Sequence, residues 1–408
     1  MRLMSSKTVP QPSRYIWQRP GWPTFAFDAE AIANDLNLAH LQQGRLMGLL
    51  DAIGLSDSRE IERELWVQEA MATAAIEGEK LDLASVRSSV AHRLGLVDAP
   101  THDRHIDGLV DVMQDAANAY QSALDDDRLC RWQSALFPGG TSGLRRIAVG
   151  RYREHTDPMQ IVSGRQGHEV VHYTAPASDQ VAGEMTKFLA WFDATRPGNP
   201  IDSAASPKAS VSPINGLARA AVAHLWFETI HPFEDGNGRL GRAIVEMALA
   251  QELGAPAWML GISRQLLAVR SAYYDALTQA QRGTLDVTPW VQWFVQTFTQ
   301  SCVQSQAVVK QALDKARFRL RASSLALNTR QNKVLNRLLE AGSPELGGGF
   351  LGGMSAEKYS KITGASKATA TRDLVDLLSK GLLKVEGAGK ATRYALDVPG
   401  WGQAAAAN

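Results

Sequence analysis

The chain has 408 residues, 45% hydrophobic and 21% charged, which is enough apolar material for a sizeable core and for about two or three domains. Its 43 Lys and Arg stand against 42 Asp and Glu, so neither a globally basic nucleic-acid binder nor a strongly acidic solvating chain fits. Cys130 and Cys302 lie far apart with no His or Cys companion at metal spacing, which argues against a disulfide framework or a zinc site and for a reducing cytoplasm.

Residues 1 to about 28 are rich in Pro, Trp and Arg, without a helical period and without the apolar stretch of an export signal; they predict an extended arm whose aromatics pack elsewhere. From Ala29 to about Ala123 the pattern is helical, with Ile32, Leu36, Leu38, Leu41, Leu46 and Leu49 or Leu50 on one face. A helix from about Arg59 ends at Gly78, placed as its C-terminal cap. Leu144 to Thr174 changes character: RIAVGRY, MQIVSG and HEVVHYT read as short strands, with a hairpin over Gly164 to Gly167. Helical periodicity returns at Ser178, at Ile214 and from Arg264 to about Val309. Glu246, Gln251 and Glu252 interrupt Ala243 to Leu253, well short of the roughly 20 apolar residues of a membrane span, so no membrane is expected as a partner.

A polar, basic connecting helix precedes the last segment. There, Arg330 to Ala341, Ser355 to Thr363 and Ser366 to Lys380 predict three helices. Leu382 to Val385, a Gly387/Gly389 turn and Thr392 to Leu396 then predict a hairpin, which is the order of a winged helix-turn-helix. Ser355 to Ala395 holds eight basic and four acidic residues, a local excess suited to DNA.

The most informative run is His231-Pro-Phe-Glu-Asp-Gly-Asn-Gly-Arg-Leu-Gly-Arg242, between two helical segments. Gly236 and Gly238 let successive N–H groups converge on an anion, and the following helix adds its positive end. Arg239 and Arg242, three apart on one helix face, suit further phosphate oxygens. Asp235 offers a hard oxygen to Mg²⁺, and the imidazole of His231 is a suitable acceptor for a hydroxyl proton. A calcium loop is excluded, because its first and last ligand positions would fall on Phe233 and Ile244. Arg242 has a competing reading, an i, i+4 pair with Glu246.

This run resembles the Fic family (filamentation induced by cAMP), whose motif H-x-F-x-D/E-G-N-G-R-x-x-R is met at every fixed position from His231 to Arg242. The resemblance extends through Ala221, His224, Phe227 and Ile230 upstream and to Tyr273, Tyr274, Ala276, Leu277 and Trp290 downstream, covering roughly residues 130 to 300. It implies transfer of AMP from ATP to a protein hydroxyl, with His231 as general base and Asp235 as Mg²⁺ ligand. Gly236, Asn237 and Gly238 become the anion nest, and Arg239 and Arg242 hold the β and γ phosphates. Tyr274 and Gln281 match nucleotide-contacting positions, where Asn is common in place of Gln281. The hairpin around Met159 to Tyr173 matches the family's flap, which holds an extended target segment by strand addition.

Thr73-Ala74-Ala75-Ile76-Glu77-Gly78 fits the family's N-terminal inhibitory motif S/T-x-x-x-E-G/N, which implies that Glu77 pairs with Arg242. A glutamate in the last helical turn faces the negative end of the dipole and wants a cation. The expected fold is mainly α. A helical regulatory region spans 1–128, a Fic core with a β-hairpin flap 129–300, a linker helix 301–328, a winged helix 329–397 and a tail 398–408. The expected activity is protein adenylylation restrained by Glu77, with Mg²⁺ as cofactor and ATP as substrate. The expected partners are a target protein, the chain itself or a second copy of it, and DNA. Removal of AMP, transfer of another phosphate-containing group, and a DNA-binding regulator with a nucleotide-sensing core are the alternatives.

Overall fold

Among the described residues, apolar positions at helical spacing fold almost throughout as helix. The computed structural model describes residues 14–51, 55–96, 103–163, 170–198, 214–342, 350, 352–387, 392–399 and 401. It divides into two units, Met1–Leu46 with Glu62–Val303, and Met47–Ile61 with Gln304–Asn408.

In the first unit the arm packs through its aromatics. Tyr15 meets Tyr173 edge to face at 5.1 Å, and the Trp17 indole donates to the Thr174 carbonyl at 2.9 Å. Trp22 and Phe25 pack against Trp226, and Ala26 forms a parallel bridge to Asp286. Five helices follow: α1 (Ala33–Asp51), α2 (Leu55–Ile76), α3 (Leu83–Arg93), α4 (Arg104–Asn118) and α5 (Asp126–Leu136). Asp82, Asp103 and Asp125 start α3, α4 and α5 by accepting first-turn N–H groups, as short acidic side chains do at helix N-termini. α2 stops where Gly78 takes φ +83° and the Glu79 N–H returns to the Ala74 carbonyl at 3.0 Å.

Two small hairpins come next, β1 (Thr141–Ser142) with β2 (Arg145–Arg146), and β3 (Gln160–Ser163) with β4 (Val170–Thr174). The turn expected over Gly164 to Gly167 lies outside the described residues. RIAVGRY does not form the expected strand beyond Arg146. Its backbone is satisfied by a side chain instead, since Gln133 accepts from Gly150 N–H at 2.7 Å and donates to the Ala148 carbonyl at 3.4 Å.

The centre of the unit is α7 (Gly216–Ile230) against α8 (Asn237–Leu253), preceded by α6 (Ser178–Ala194) and followed by α9 (Ile262–Ala268), α10 (Arg270–Arg282) and α11 (Thr288–Ser323). Every residue of α7 is buried, as expected of a helix apolar all round. α7 and α8 approach so closely that a Cβ on Gly241 would lie 2.4 Å from the Glu228 carboxylate.

Glu69 on α2 is completely buried and accepts the Ser263 and Arg264 N–H groups at the start of α9. Glu246 on α8 is buried too, with Oε2 unpartnered, and burial together with the facing Glu69 pushes its carboxyl far above the usual range. A carboxyl raised in the folded state favours folding while it keeps its proton and costs stability as pH climbs past its ordinary value. Glu246→Gln is therefore expected to raise stability at pH 8 by about 1 kcal/mol, or about 2–4 °C, with the gain fading toward pH 5. Thermal melts at the two pH values check this.

The second unit contains α12 (Thr329–Ala341), α13 (Ala356–Thr363), α14 (Lys367–Ser379) and the antiparallel pair β5 (Leu383–Glu386) with β6 (Arg393–Leu396). Leu335, Leu338, Tyr359, Leu374, Leu377 and Leu396 share its core. Buried Asp373 accepts from Arg330, Asn328 and the Tyr359 hydroxyl, fastening α14 to the two other helices. Residues 388–391 of the expected hairpin turn lie outside the described residues. Among the described residues, no helix is long and apolar enough to cross a membrane.

Candidate active site

α7 ends on His231, whose φ of +52° is the one left-handed conformation of a non-glycine among the described residues. Such a conformation costs about 1–2 kcal/mol, so something must hold it. Arg153 does. Its guanidinium is almost fully buried and donates to the carbonyls of His231 (2.8 Å), Ile230 (3.2 Å) and Pro176 (2.6 Å) and to the Ser178 hydroxyl (2.9 Å). Burial lowers its pKa to about 10, still a cation at neutral pH.

The imidazole is oriented from inside the same helix. Glu228, one turn earlier, lies 3.6 Å from His231 Nδ1. Burial pushes the Glu228 carboxyl upward, but His231, His224 and Arg242 face it and bring it below the usual range, so it is an anion. An anion on Nδ1 favours the proton there and leaves Nε2 as the acceptor.

The loop after His231 is tied by Asn237, whose side chain accepts from Phe233 N–H at 2.9 Å and donates to the Phe233 carbonyl at 2.8 Å. Gly236 then takes φ +88° and opens α8. Asp235 accepts from Gly236 N–H at 2.6 Å through Oδ1 and from the Ser142 hydroxyl of β1 through Oδ2. The β1–β2 hairpin thereby positions the Asp235 carboxylate. Among the described residues no group of three or more His, Cys, Asp or Glu could hold a metal. A cation at Asp235 would have to complete its shell with water and substrate oxygens, as Mg²⁺ commonly does.

Arg239 and Arg242 lie on the first turns of α8, both buried. The Arg242 Nε donates to the Thr73 hydroxyl at 2.7 Å, and Nη2 to the Thr73 carbonyl at 3.0 Å and to Glu77 Oε1 at 2.7 Å. Burial would lower the pKa of this guanidinium, yet Glu77, Tyr273 and Glu228 raise it, so the charge is secure. The alternative pairing with Glu246 does not form, and the partner is the glutamate at the end of α2. Its carboxylate lies directly over the α8 N-terminus, where a Cβ on Gly238 would be 2.2 Å from Glu77 Oε1. Arg239 stacks on Phe137 at 4.9 Å and makes a 2.8 Å ion pair with Glu79. Arg239 Nε and Arg242 Nη1 are buried donors without a hydrogen-bond partner. Two such donors beside a helix N-terminus can receive a polyanion.

Tyr274 is 37% exposed and donates to the Ile76 carbonyl at 3.3 Å, touching the end of α2. Gln281 lies inside. It is 1% exposed, and its amide donates to the Glu228 carbonyl at 3.1 Å, supporting the last turn of α7. Sequence reading did not single out Arg153, Glu228, Ser142 or Glu79. Arg153 and Ser142 lie 78 and 93 positions from their partners; only Glu228, one turn before His231, carried a local signal.

Residues 123–249 match the Fic/DOC family. The chain contains a Fic/DOC domain. Residues 15–96, the arm through α3, match a domain of unknown function (DUF4172). The protein adenylyltransferase Fic of Drosophila virilis is 28% identical over 279 residues, covering 65% of this chain and 50% of that protein. The protein adenylyltransferase Fic of Aedes aegypti is 29% identical over 280 residues, covering 65% and 49%. The chain thus spans about half the length of the curated relatives it matches. A Fic family protein from Desulfovibrio desulfuricans G20 superposes with a TM-score of 0.50 at 20% identity, covering 93% of this chain and 99% of that one. The Fic fold of the chain is mainly α with small antiparallel hairpins.

Proposed function

We propose that the chain is a protein adenylyltransferase, moving AMP from ATP to a hydroxyl side chain of a target protein or of itself, and that Glu77 restrains it. The observation that carries this reading is the polyanion cradle: the α8 N-terminus flanked by Arg239 Nε and Arg242 Nη1, two buried donors without a protein hydrogen-bond acceptor. Gly236 to Gly238 present backbone N–H groups to phosphate oxygens, and the two guanidinium groups neutralise the β and γ phosphates. Asp235, aimed by Ser142, would hold Mg²⁺. When bound, the cation offsets phosphate charge.

His231 Nε2 takes the hydroxyl proton. The hydroxyl oxygen forms its bond to the ATP α-phosphorus as the bond to the bridging oxygen breaks, and pyrophosphate leaves. Positioning supplies most of the acceleration, since the groups are fixed before reaction. The target segment adds as a strand to β3, because β4 already gives its Val171 and His172 carbonyls to Arg282 and its Thr174 carbonyl to Trp17. Glu77 opposes all this by placing a carboxylate where a phosphate belongs. The names of the curated relatives support the reaction, and the geometry supports the brake. The test is ATP labelled on its α-phosphate, incubated with Mg²⁺ and cell lysate. Label passing to protein supports the reading; bound ATP with no label on protein removes it.

The second unit we read as a winged helix that binds duplex DNA. α14 turns Asp373, Leu374 and Leu377 inward and leaves Lys367, Thr371, Arg372 and Val375 exposed. That face suits phosphates and base edges in a major groove. Anisotropy of a labelled duplex is expected to report binding that weakens steeply between 50 and 200 mM salt and by about tenfold or more in a Lys367→Ala/Arg372→Ala variant. Binding that ignores both would discard this role.

A further inference from the structure

Two carboxylates, not one, close on the arginines of α8. Glu77 and Glu79 straddle Gly78 at the end of α2, and while Glu77 takes Arg242, Glu79 Oε1 takes Arg239 at 2.8 Å. The inhibitory motif accounts for the first pair only. The other oxygen of Glu79 lies 3.3 Å from His105 Nε2, on the first turn of α4, and His105 Nδ1 lies 2.9 Å from the Leu136 carbonyl at the end of α5.

The chemistry of that imidazole is decided by its neighbours. A carbonyl oxygen can only accept, so Nδ1 must carry a proton to bond Leu136. A carboxylate can only accept, so Nε2 must carry one as well. A neutral imidazole has a single N–H and can satisfy one contact but not both. Only the imidazolium fits the site as built.

We propose that Glu79, His105 and Arg239 form a second, proton-dependent clamp on the phosphate site, one that holds Arg239 away from an incoming polyphosphate independently of the Glu77 brake. This rests on the adenylyltransferase reading for what the polyphosphate is. The clamp is a relay: protonated His105 steadies Glu79, and Glu79 occupies the guanidinium that ATP needs. Charges facing the relay come from three elements. Arg239 and Arg242 on α8 face Glu79, Glu79 and Arg239 face His105, and the end of α5 brings the Leu136 carbonyl to His105 and the Phe137 ring to Arg239. Asp103, the α4 cap, spends its carboxylate on the His105 and Ile106 backbone N–H groups.

The electrostatics agree in sign. The Glu79 hydrogen bond is the largest influence on His105 and raises its pKa, against burial and the facing Arg239. Burial would raise Glu79, but His105 and Arg239 lower it. The His105 contact is therefore complete below the ordinary imidazole value of 6.5 and is lost as pH rises through the raised value. Neutral His105 can no longer donate to both partners, Glu79 is held less firmly, and Arg239 becomes available. Acidification closes the clamp, and alkaline pH opens it.

Two readouts on the full-length protein test this. The first is calorimetric affinity for ATP with Mg²⁺ in Glu77→Gly and in Glu77→Gly/Glu79→Gln. The double variant is expected to bind about three- to tenfold more tightly at pH 6, with the ratio shrinking toward one by pH 8.5; because both variants meet the same ligand, ATP's own titration cancels. The second is the NMR titration of His105, expected above 6.5 in the parent and shifted downward in Glu79→Gln, which removes the facing carboxylate. Gln keeps the side chain's size, with its amide oxygen accepting from Arg239 and its NH2 donating to Nε2 of a neutral His105, so the fold is retained while the charge is removed. An affinity ratio of one at every pH, or a loss of affinity in the double variant, would overturn the clamp, as would a His105 titration that ignores Glu79→Gln. If Glu77→Gly binds no ATP at all, the nucleotide reading falls instead, and the NMR titration alone decides the clamp.

Discussion

Glu77→Gly is expected to increase AMP transfer about 10- to 100-fold over the parent chain. The figure follows from what the substitution removes: one charge-assisted hydrogen bond to a buried guanidinium, worth about 1.5–3 kcal/mol, and a carboxylate over the helix end that must receive phosphate. Label from α-labelled ATP should then appear on the protein or on a lysate partner. Adding His231→Ala should cut it by about 10²–10⁴, the range for loss of a general base. Label in Glu77→Gly that vanishes with His231→Ala supports transfer, base and brake together. Equal, low label in all three proteins, with ATP bound, would reject the transfer and turn attention to AMP removal or another phosphate-containing donor.

Arg153→Met, placed in the Glu77→Gly background, is expected to lower transfer by at least about 100-fold while ATP affinity changes by less than about threefold. Arg153 lies away from the phosphate cradle, and its four donated bonds hold the backbone of Ile230, His231 and the segment entering α6. Without it, three carbonyls lose their donor at about 1–3 kcal/mol each where they remain buried, and the left-handed turn at His231 relaxes. Displacing a catalytic group by about 1 Å is enough to cost about two orders of magnitude. Arg153→Lys keeps the charge with fewer, unforked donors and should recover part of the rate. A full rate in Arg153→Met would show that His231 holds its conformation unaided. An equal fall in ATP affinity would show that Arg153 supports the whole loop rather than the base.

The motif from His231 to Arg242 was legible because its chemistry is local. Gly236 supplies the left-handed turn, Arg239 and Arg242 share a helix face by spacing alone, and Asp235 stands one residue before the turn. The end of α2 at Gly78 was legible for the same reason, and so were the three helices and hairpin of the second unit, whose caps at Ser355 and Ser366 lie at the expected starts. A helix carries its own period in consecutive residues, and a cap acts within three positions of itself.

What stayed hidden depends on residues distant in sequence. No local pattern tells that the arginine at 153 reaches the carbonyl of residue 231, or that a serine in a two-residue strand aims Asp235. The strand expected in RIAVGRY failed because Gln133 satisfies the backbone there, which periodicity cannot register. Gln281 enters only through the family resemblance, as a match to a nucleotide-contacting position, and nothing local tells that the packing of α10 places its amide on the Glu228 carbonyl. Glu79 is the sharpest case. In the sequence it is one more charge beside a helix end, where water is the default partner. Only the fold brings Arg239, Glu79 and His105 together from α8, the end of α2 and α4, and burial then makes each charge depend on the next, because a partly desolvated ion needs a partner that an exposed one does not. Amino-acid order therefore determined which chemistry the chain carries; tertiary packing decided which of those groups are held, aimed or blocked.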